Sequence, residues 1–127
     1  MTQQEADALA DRANDLKKAV NAFRNQWYET LTPRLRDGLH DLSIVLGDEA
    51  NDLTVVATRL TLVQLHEALT NLRSITDGVN EAADHLSDVS KVMTIATSLV
   101  DLGTAIASAD PGAVLSAALS TLTSLKG

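Results

Sequence analysis

The sequence predicts an all-α fold, an elongated antiparallel bundle of four to five helices with coiled-coil-like apolar seams. Apolar residues recur at alternating steps of three and four along most of the chain, which is the spacing of one helix face. Two prolines and six glycines are too few for the regular turns of a sandwich or barrel. With only three aromatic residues, the core must consist of Leu, Val, Ile and Ala. At 127 residues we expect a single domain spanning 1–127.

The first two helices are separated by a proline. We predict the first helix over about residues 3–30, with a seam at Ala6, Leu9, Ala13, Leu16, Val20, Phe23 and Trp27. Thr32 precedes Pro33, and threonine is a favoured N-cap while proline suits the first helical position. A second helix is therefore predicted over 33–77. Gly47 is a potential break, but the apolar phase continues across it and one glycine costs about 1 kcal/mol, so we expect continuity.

A shifted seam begins near residue 64 and continues for twelve positions, at Leu65, Ala68, Leu72, Ile75, Val79, Ala82, Leu86, Val89, Met93, Ala96, Val100 and Gly103. It crosses Asp77-Gly78, which favours a turn. Two interpretations remain open, one long helix through Gly78 or a hinge that folds the chain back. For a compact domain we favour the reversal, which gives a helix over 79–108.

The last predicted helix covers 111–125, because Asp110 is a potential cap and Pro111 occupies the first helical position. Between Lys91 and Lys126 the only charged residues are Asp101 and Asp110. Each of the two apolar stretches, 92–108 and 113–125, is shorter than the ~20 residues that span a membrane. We expect both to be buried against protein, with conditional membrane insertion of the hairpin 92–125 as the alternative. Asp101 is then the candidate membrane switch.

Charge is unevenly distributed along this acidic chain. Residues 37–90 contain ten acidic and two basic residues, so this segment has a charge of −8 within a chain whose total is −7. Such a segment repels phosphate backbones, so we expect no nucleic-acid partner. The first sixteen residues lack an apolar signal segment, so we expect a cytoplasmic protein or one exported without a cleaved signal peptide.

The residues that commonly perform catalysis or bind metals do not form a recognisable pattern. His40, His66 and His85 lack the Glu-x-x-His spacing of di-iron bundles, and cysteine is absent. No phosphate-binding glycine loop and no nucleophile elbow occurs. We therefore expect no catalytic site, no metal and no cofactor.

These observations favour a non-enzymatic helical protein that acts by binding protein, including itself as a homo-oligomer. The apolar seams exceed what a bundle of this length is expected to bury, and a second subunit usually covers such a surplus. The alternative is a membrane-active protein, such as a pore-forming or toxin component. The candidate interface residues are Trp27, Tyr28, Leu53, Val56 and Leu60.

Overall fold

The computed structural model describes residues 2–47, 51–85 and 88–126, of which about 88% are helical. The predicted all-α bundle is confirmed, with six helices in this part of the chain rather than four or five. The helices are α1 (Gln3–Gln26), α2 (Pro33–Gly47), α3 (Asn51–Thr58), α4 (Leu62–His85), α5 (Val89–Ala107) and α6 (Pro111–Lys126).

The five longer helices form a closed ring around the core. In the order α1, α2, α5, α6, α4, each helix contacts the next, and α4 closes the ring against α1. Consecutive long helices run in opposite directions along the chain, but three of the five neighbouring pairs around the ring are parallel. In the pair α1 and α4, Glu5 contacts His66 near the helix starts and Trp27 contacts Ala82 near the helix ends. The pairs α2 with α5 and α4 with α6 are parallel as well.

The directions of the helices give the bundle two different ends. The starts of α1, α4 and α6 lie at one end together with α3, and we call this the α3 end. The turn after α1 lies at the other, which we call the Tyr28 end. A helix of 24 residues such as α1 separates them by about 36 Å, at 1.5 Å per residue.

The short helix α3 contributes to the core at its own end of the ring. Its buried side chains are Leu53, Val56 and Ala57. They line a cavity of about 20 Å³ together with apolar residues of α1, α4, α5 and α6. That volume is close to the space of one water, and its apolar walls offer no hydrogen bonds, so we expect it to be dry.

Gly78 lies inside α4, and the reversal predicted there is wrong. A Cβ atom at this position would lie 2.8 Å from Leu125 Cδ1, so the missing side chain makes room for α6. The twelve-position seam is instead divided between α4 and α5. Its member Val89 falls in the first turn of α5 and is 58% exposed, while Leu86 lies outside the described residues.

Helix α2 is described as far as Gly47 and α3 from Asn51, so the continuity expected across Gly47 falls on residues 48–50, which lie outside the described residues. A break precedes α4, and the sequence carries a signal for it that we missed. The Thr61 hydroxyl accepts from the Gln64 N–H, and the Gln64 side chain accepts from the Thr61 N–H. This reciprocal capping box starts a helix at Leu62.

Two glycines let α2 and α5 approach closely. A Cβ atom on Gly38 would lie 2.6 Å from Val100 Cγ2, and one on Gly103 would lie 3.1 Å from Leu42 Cβ and 3.3 Å from Leu42 Cα. Leu42 is fully buried, and its Cα and Cβ cannot swing aside as a side-chain tip can. The close approach of the α2 and α5 backbones therefore depends on the absence of a side chain at Gly103.

We predict that Gly103→Ala lowers the free energy of unfolding by up to about 2 kcal/mol. Overpacking a core costs about 1–3 kcal/mol, and the gain in helix propensity offsets about 1 kcal/mol of that cost. Gly112→Ala is the control, because the nearest atom to a Cβ there is 3.5 Å away. Urea denaturation followed by circular dichroism measures both. Equal stability of Gly103→Ala and the wild type would contradict the close contact.

Candidate functional site

The candidate interface residues of α3 and the following turn face inward. Leu53 is 4% exposed and Val56 is 1% exposed, and Leu60 packs partly buried against the same core. These side chains pack into the core and close the interior of the ring at the α3 end. The structure therefore assigns Leu53 and Val56 to the core, where a partner does not reach them.

Trp27 and Tyr28 follow the last residue of α1, Gln26, although the sequence predicted a helix to residue 30. The Trp27 Nε1–H donates to the Ala82 carbonyl at 3.2 Å, so this side chain joins α1 to α4. Tyr28 differs from it, since its side chain is 41% exposed. Of the five candidate interface residues, Tyr28 is the one with a largely accessible side chain.

Two arginines lie against the Tyr28 ring. The guanidinium carbon of Arg36 is 4.5 Å from the ring centroid and that of Arg24 is 5.3 Å away. The Arg24 Nε–H also donates to the Arg36 carbonyl at 3.0 Å, which fixes the first turn of α2 against α1. We call Arg24, Tyr28 and Arg36 the arginine–tyrosine site. Cation–π contacts of this kind contribute about 0.5–1 kcal/mol at exposed positions.

The arginine–tyrosine site has the chemistry of an anion-binding surface. Among the described residues, neither guanidinium has a carboxylate oxygen within 4.0 Å. A guanidinium presents a planar fork of N–H donors that matches a carboxylate or a phosphate. Because the tyrosine ring and a backbone carbonyl already orient the two forks, little side-chain entropy remains to be lost on binding.

A second accessible surface lies at the α3 end, around the start of α4. Val55 is 40% exposed, Leu62 is 62% exposed and Val63 is 77% exposed, and we call these three residues the apolar cluster. The capping box at Thr61 places Val63 in the first turn of α4. Glu67 is exposed and follows Val63 by four residues, so both project from the same side of α4.

A further carboxylate, that of Glu5, lies against the first turns of α4 through its contact with His66. Glu5 accepts from the Thr2 backbone N–H at 2.8 Å, and this bond is the main reason why the pKa of Glu5 lies below its ordinary value. His66 lies 3.2 Å from the same carboxylate and lowers the pKa further. A lowered pKa favours the ionised form in the folded protein, so the α3 end keeps this negative charge at neutral pH.

Asp101 lies on the outer face of α5 and is exposed. It borders a groove of about 440 Å³ between α5 and α6, whose other lining residues are serine, threonine and alanine. Within the described residues, α5 is the one helix with the length and composition to cross a membrane, and 44% of that stretch is buried inside the bundle. A core helix of a globular protein meets the same criteria.

The histidines are distributed over separate helices. His66 pairs with Glu5, His40 is exposed on α2, and the side chain of His85 lies outside the described residues. Within residues 2–47, 51–85 and 88–126, no three His, Asp or Glu side chains are grouped closely enough to hold a metal ion. Comparison with models of protein families, with curated proteins and with solved structures finds no match.

Proposed function

We propose that this chain is a non-enzymatic helical protein that acts by binding protein, including further copies of itself. The observation that carries the proposal is the apolar cluster of Val55, Leu62 and Val63 at the α3 end. Single exposed apolar residues are common on protein surfaces. Three large ones within nine residues, two of them adjacent in sequence, are typical of a surface that a partner covers.

The size of the apolar cluster limits how tightly it can bind by itself. Full burial of a valine or leucine contributes about 1.5–3 kcal/mol, so these partly exposed side chains offer of the order of 4 kcal/mol. Association costs about 4–15 kcal/mol in lost translational and rotational freedom. The cluster therefore supports self-association only together with polar contacts, and the resulting affinity is weak.

We predict that the double variant Leu62→Ser, Val63→Ser loses self-association while its helix content stays unchanged, because both side chains lie mostly outside the core. Leu119→Ser is the matched control, since Leu119 is 52% exposed but lies in the middle of α6. Sedimentation velocity up to about millimolar protein measures the association. A wild type that stays monomeric over this range contradicts the proposal of self-association.

The second candidate is a membrane-active protein that releases the hairpin 92–125, and features of α5 favour it. The hydroxyls of Thr94, Thr97 and Thr104 each donate to the carbonyl four residues earlier, at 2.9, 2.9 and 3.2 Å. These groups would remain paired in an apolar medium. The cost of release is high, however, because Leu99, Leu102, Ile106 and five further residues of α5 are buried in the ring.

For the membrane candidate, we predict that Asp101→Asn increases dye leakage from vesicles relative to the wild type, because a carboxylate at the bilayer centre costs about 2.5–3.5 kcal/mol. Asp110→Asn is the control, because Asp110 accepts from the Gly112 N–H in the turn between α5 and α6, where asparagine also caps. If none of the three proteins causes leakage, the membrane candidate fails.

A further inference from the structure

Building on the second candidate function, we propose that the ring separates at a lipid surface along two contacts, α2 with α5 and α4 with α6, so that α5 and α6 leave it as one hydrogen-bonded pair. The hydrogen bond from Arg59 to the Ala109 carbonyl is the latch that holds this pair to the other helices in water. Two features divide the ring along these same contacts, the hydrogen bonds between helices and the distribution of charge.

The side-chain hydrogen bonds between helices fall into two groups. In the first group, α1 is joined to α2 by the bond from Arg24 to the Arg36 carbonyl, and to α4 by the bond from Trp27 to the Ala82 carbonyl. These bonds make α1, α2 and α4 one connected unit.

The second group joins α5 to α6. Ser98 Oγ lies 2.6 Å from Ser124 Oγ, in hydrogen-bond contact across the two helices. The Thr121 hydroxyl is fully buried, donates to the Ala117 carbonyl at 2.8 Å and shares its hydrogen with the Ser98 carbonyl at 3.3 Å. Helices α5 and α6 are therefore tied to each other by polar groups that face the space between them.

The contacts between the two groups are of another kind. Within residues 2–47, 51–85 and 88–126, no side-chain hydrogen bond joins α2 to α5 or α4 to α6. Both contacts are made by apolar side chains against glycines, with Val100 over Gly38 and Leu125 over Gly78.

Charge divides the ring in the same way. Helices α1, α2 and α4 contain eight, four and five Asp, Glu, Lys or Arg residues, whereas α5 and α6 together contain three, Lys91, Asp101 and Lys126. Lys91 and Lys126 both lie at the open end of the antiparallel pair, where a lysine can reach water from a membrane. At its other end the pair has Asp110 in the turn. The α5–α6 pair is thus the part of the ring that lipid accepts most easily.

Lipid changes the balance between the two kinds of contact. Hydrocarbon chains are as apolar as leucine, so apolar contacts between helices lose in lipid the hydrophobic driving force that holds them in water. A hydroxyl that leaves its partner in lipid finds no water to replace it, so hydrogen bonds between helices are retained there. Lipid therefore weakens the α2–α5 and α4–α6 contacts and leaves Ser98, Thr121 and Ser124 to hold α5 against α6.

The latch connects the two groups of helices at the α3 end. Arg59 lies in the turn after α3, and its Nη1–H donates at 3.0 Å to the carbonyl of Ala109, which lies in the turn between α5 and α6. In the part of the chain that the structure describes, it is the one side-chain hydrogen bond between the two groups. The bond is exposed to water, so we expect its loss to ease separation by a modest factor without unfolding the bundle.

Two engineered disulfides test which contact opens, because the chain has no cysteine. Ser98→Cys, Ser124→Cys joins α5 to α6, where the two hydroxyl oxygens are 2.6 Å apart. Gly78→Cys, Leu125→Cys joins α4 to α6, where a Cβ atom at position 78 lies 3.4 Å from Leu125 Cβ, close to the spacing in disulfides. Each double variant is measured oxidised and reduced, so that the reduced form is its own control.

Dye leakage from phosphatidylcholine vesicles is the readout, and every protein carries Asp101→Asn, the change expected to increase leakage. The Ser98–Ser124 disulfide is expected to leave leakage unchanged, whereas the Gly78–Leu125 disulfide is expected to abolish it until it is reduced. Arg59→Ala is expected to raise the leakage rate about twofold to tenfold, the factor that corresponds to one hydrogen bond. Arg73→Ala, at an exposed residue in the middle of α4, is the matched control and is expected to change nothing.

The outcomes distinguish this inference from the function on which it rests. Leakage that is lost with the Ser98–Ser124 disulfide, or that persists with the Gly78–Leu125 disulfide, overturns the release of α5 and α6 as one pair and leaves the membrane candidate intact. Equal leakage by the Arg59→Ala and Arg73→Ala proteins overturns the latch. An Asp101→Asn parent that causes no leakage overturns the membrane candidate together with the release. Circular dichroism of the reduced proteins checks that the substitutions preserve the fold.

Discussion

The close contact between α2 and α5 is the constraint on which the rest of the structure depends. The chain has three aromatic residues, and Phe23 is the fully buried one. Its core therefore consists mainly of aliphatic side chains, which fill a narrower space than aromatic rings. A ring of five helices closes around such a core only where backbones approach closely, and Gly38 and Gly103 permit that approach between α2 and α5.

Ring closure determines which surfaces remain for a partner. The sides of the bundle carry charged residues on α1, α2 and α4 and mostly hydroxyl-bearing residues on α5 and α6. The two ends differ from the sides and from each other. Helix α3 directs Leu53 and Val56 into the core and Val55 toward solvent. The turn after α3 places Leu62 and Val63 on the surface. At the other end, the Trp27 hydrogen bond to α4 leaves the neighbouring Tyr28 exposed.

Much of the fold could be predicted from the periodicity of apolar residues. The spacing gave the helical class, and Pro33 and Pro111 marked two helix starts correctly. The reversal expected at Gly78 is wrong. A glycine in a turn and a glycine that a neighbouring helix packs against look alike in a sequence, because the difference lies in a residue distant along the chain, such as Leu125 against Gly78.

The candidate site was predicted less well, for the same reason. The sequence drew attention to Tyr28 as an aromatic residue next to Trp27 of the apolar seam, but nothing local connects it to Arg36, eight residues later. The turn between α1 and α2 brings them together. Leu53 and Val56 were assigned to an interface because a seam shows that a residue is buried, without showing whether its partner is the same chain or another one.

The central claim is that copies of this chain associate through the apolar cluster of Val55, Leu62 and Val63, and energy transfer between labelled copies tests it most directly. The chain has no cysteine, so a single cysteine replacing the exposed Gln4 selectively labels the start of α1, which lies at the same end of the bundle. The account predicts energy transfer between donor-labelled and acceptor-labelled copies, and loss of that transfer when both copies carry Leu62→Ser and Val63→Ser. Absence of transfer in the wild type, or transfer that persists unchanged in the double variant, would contradict it.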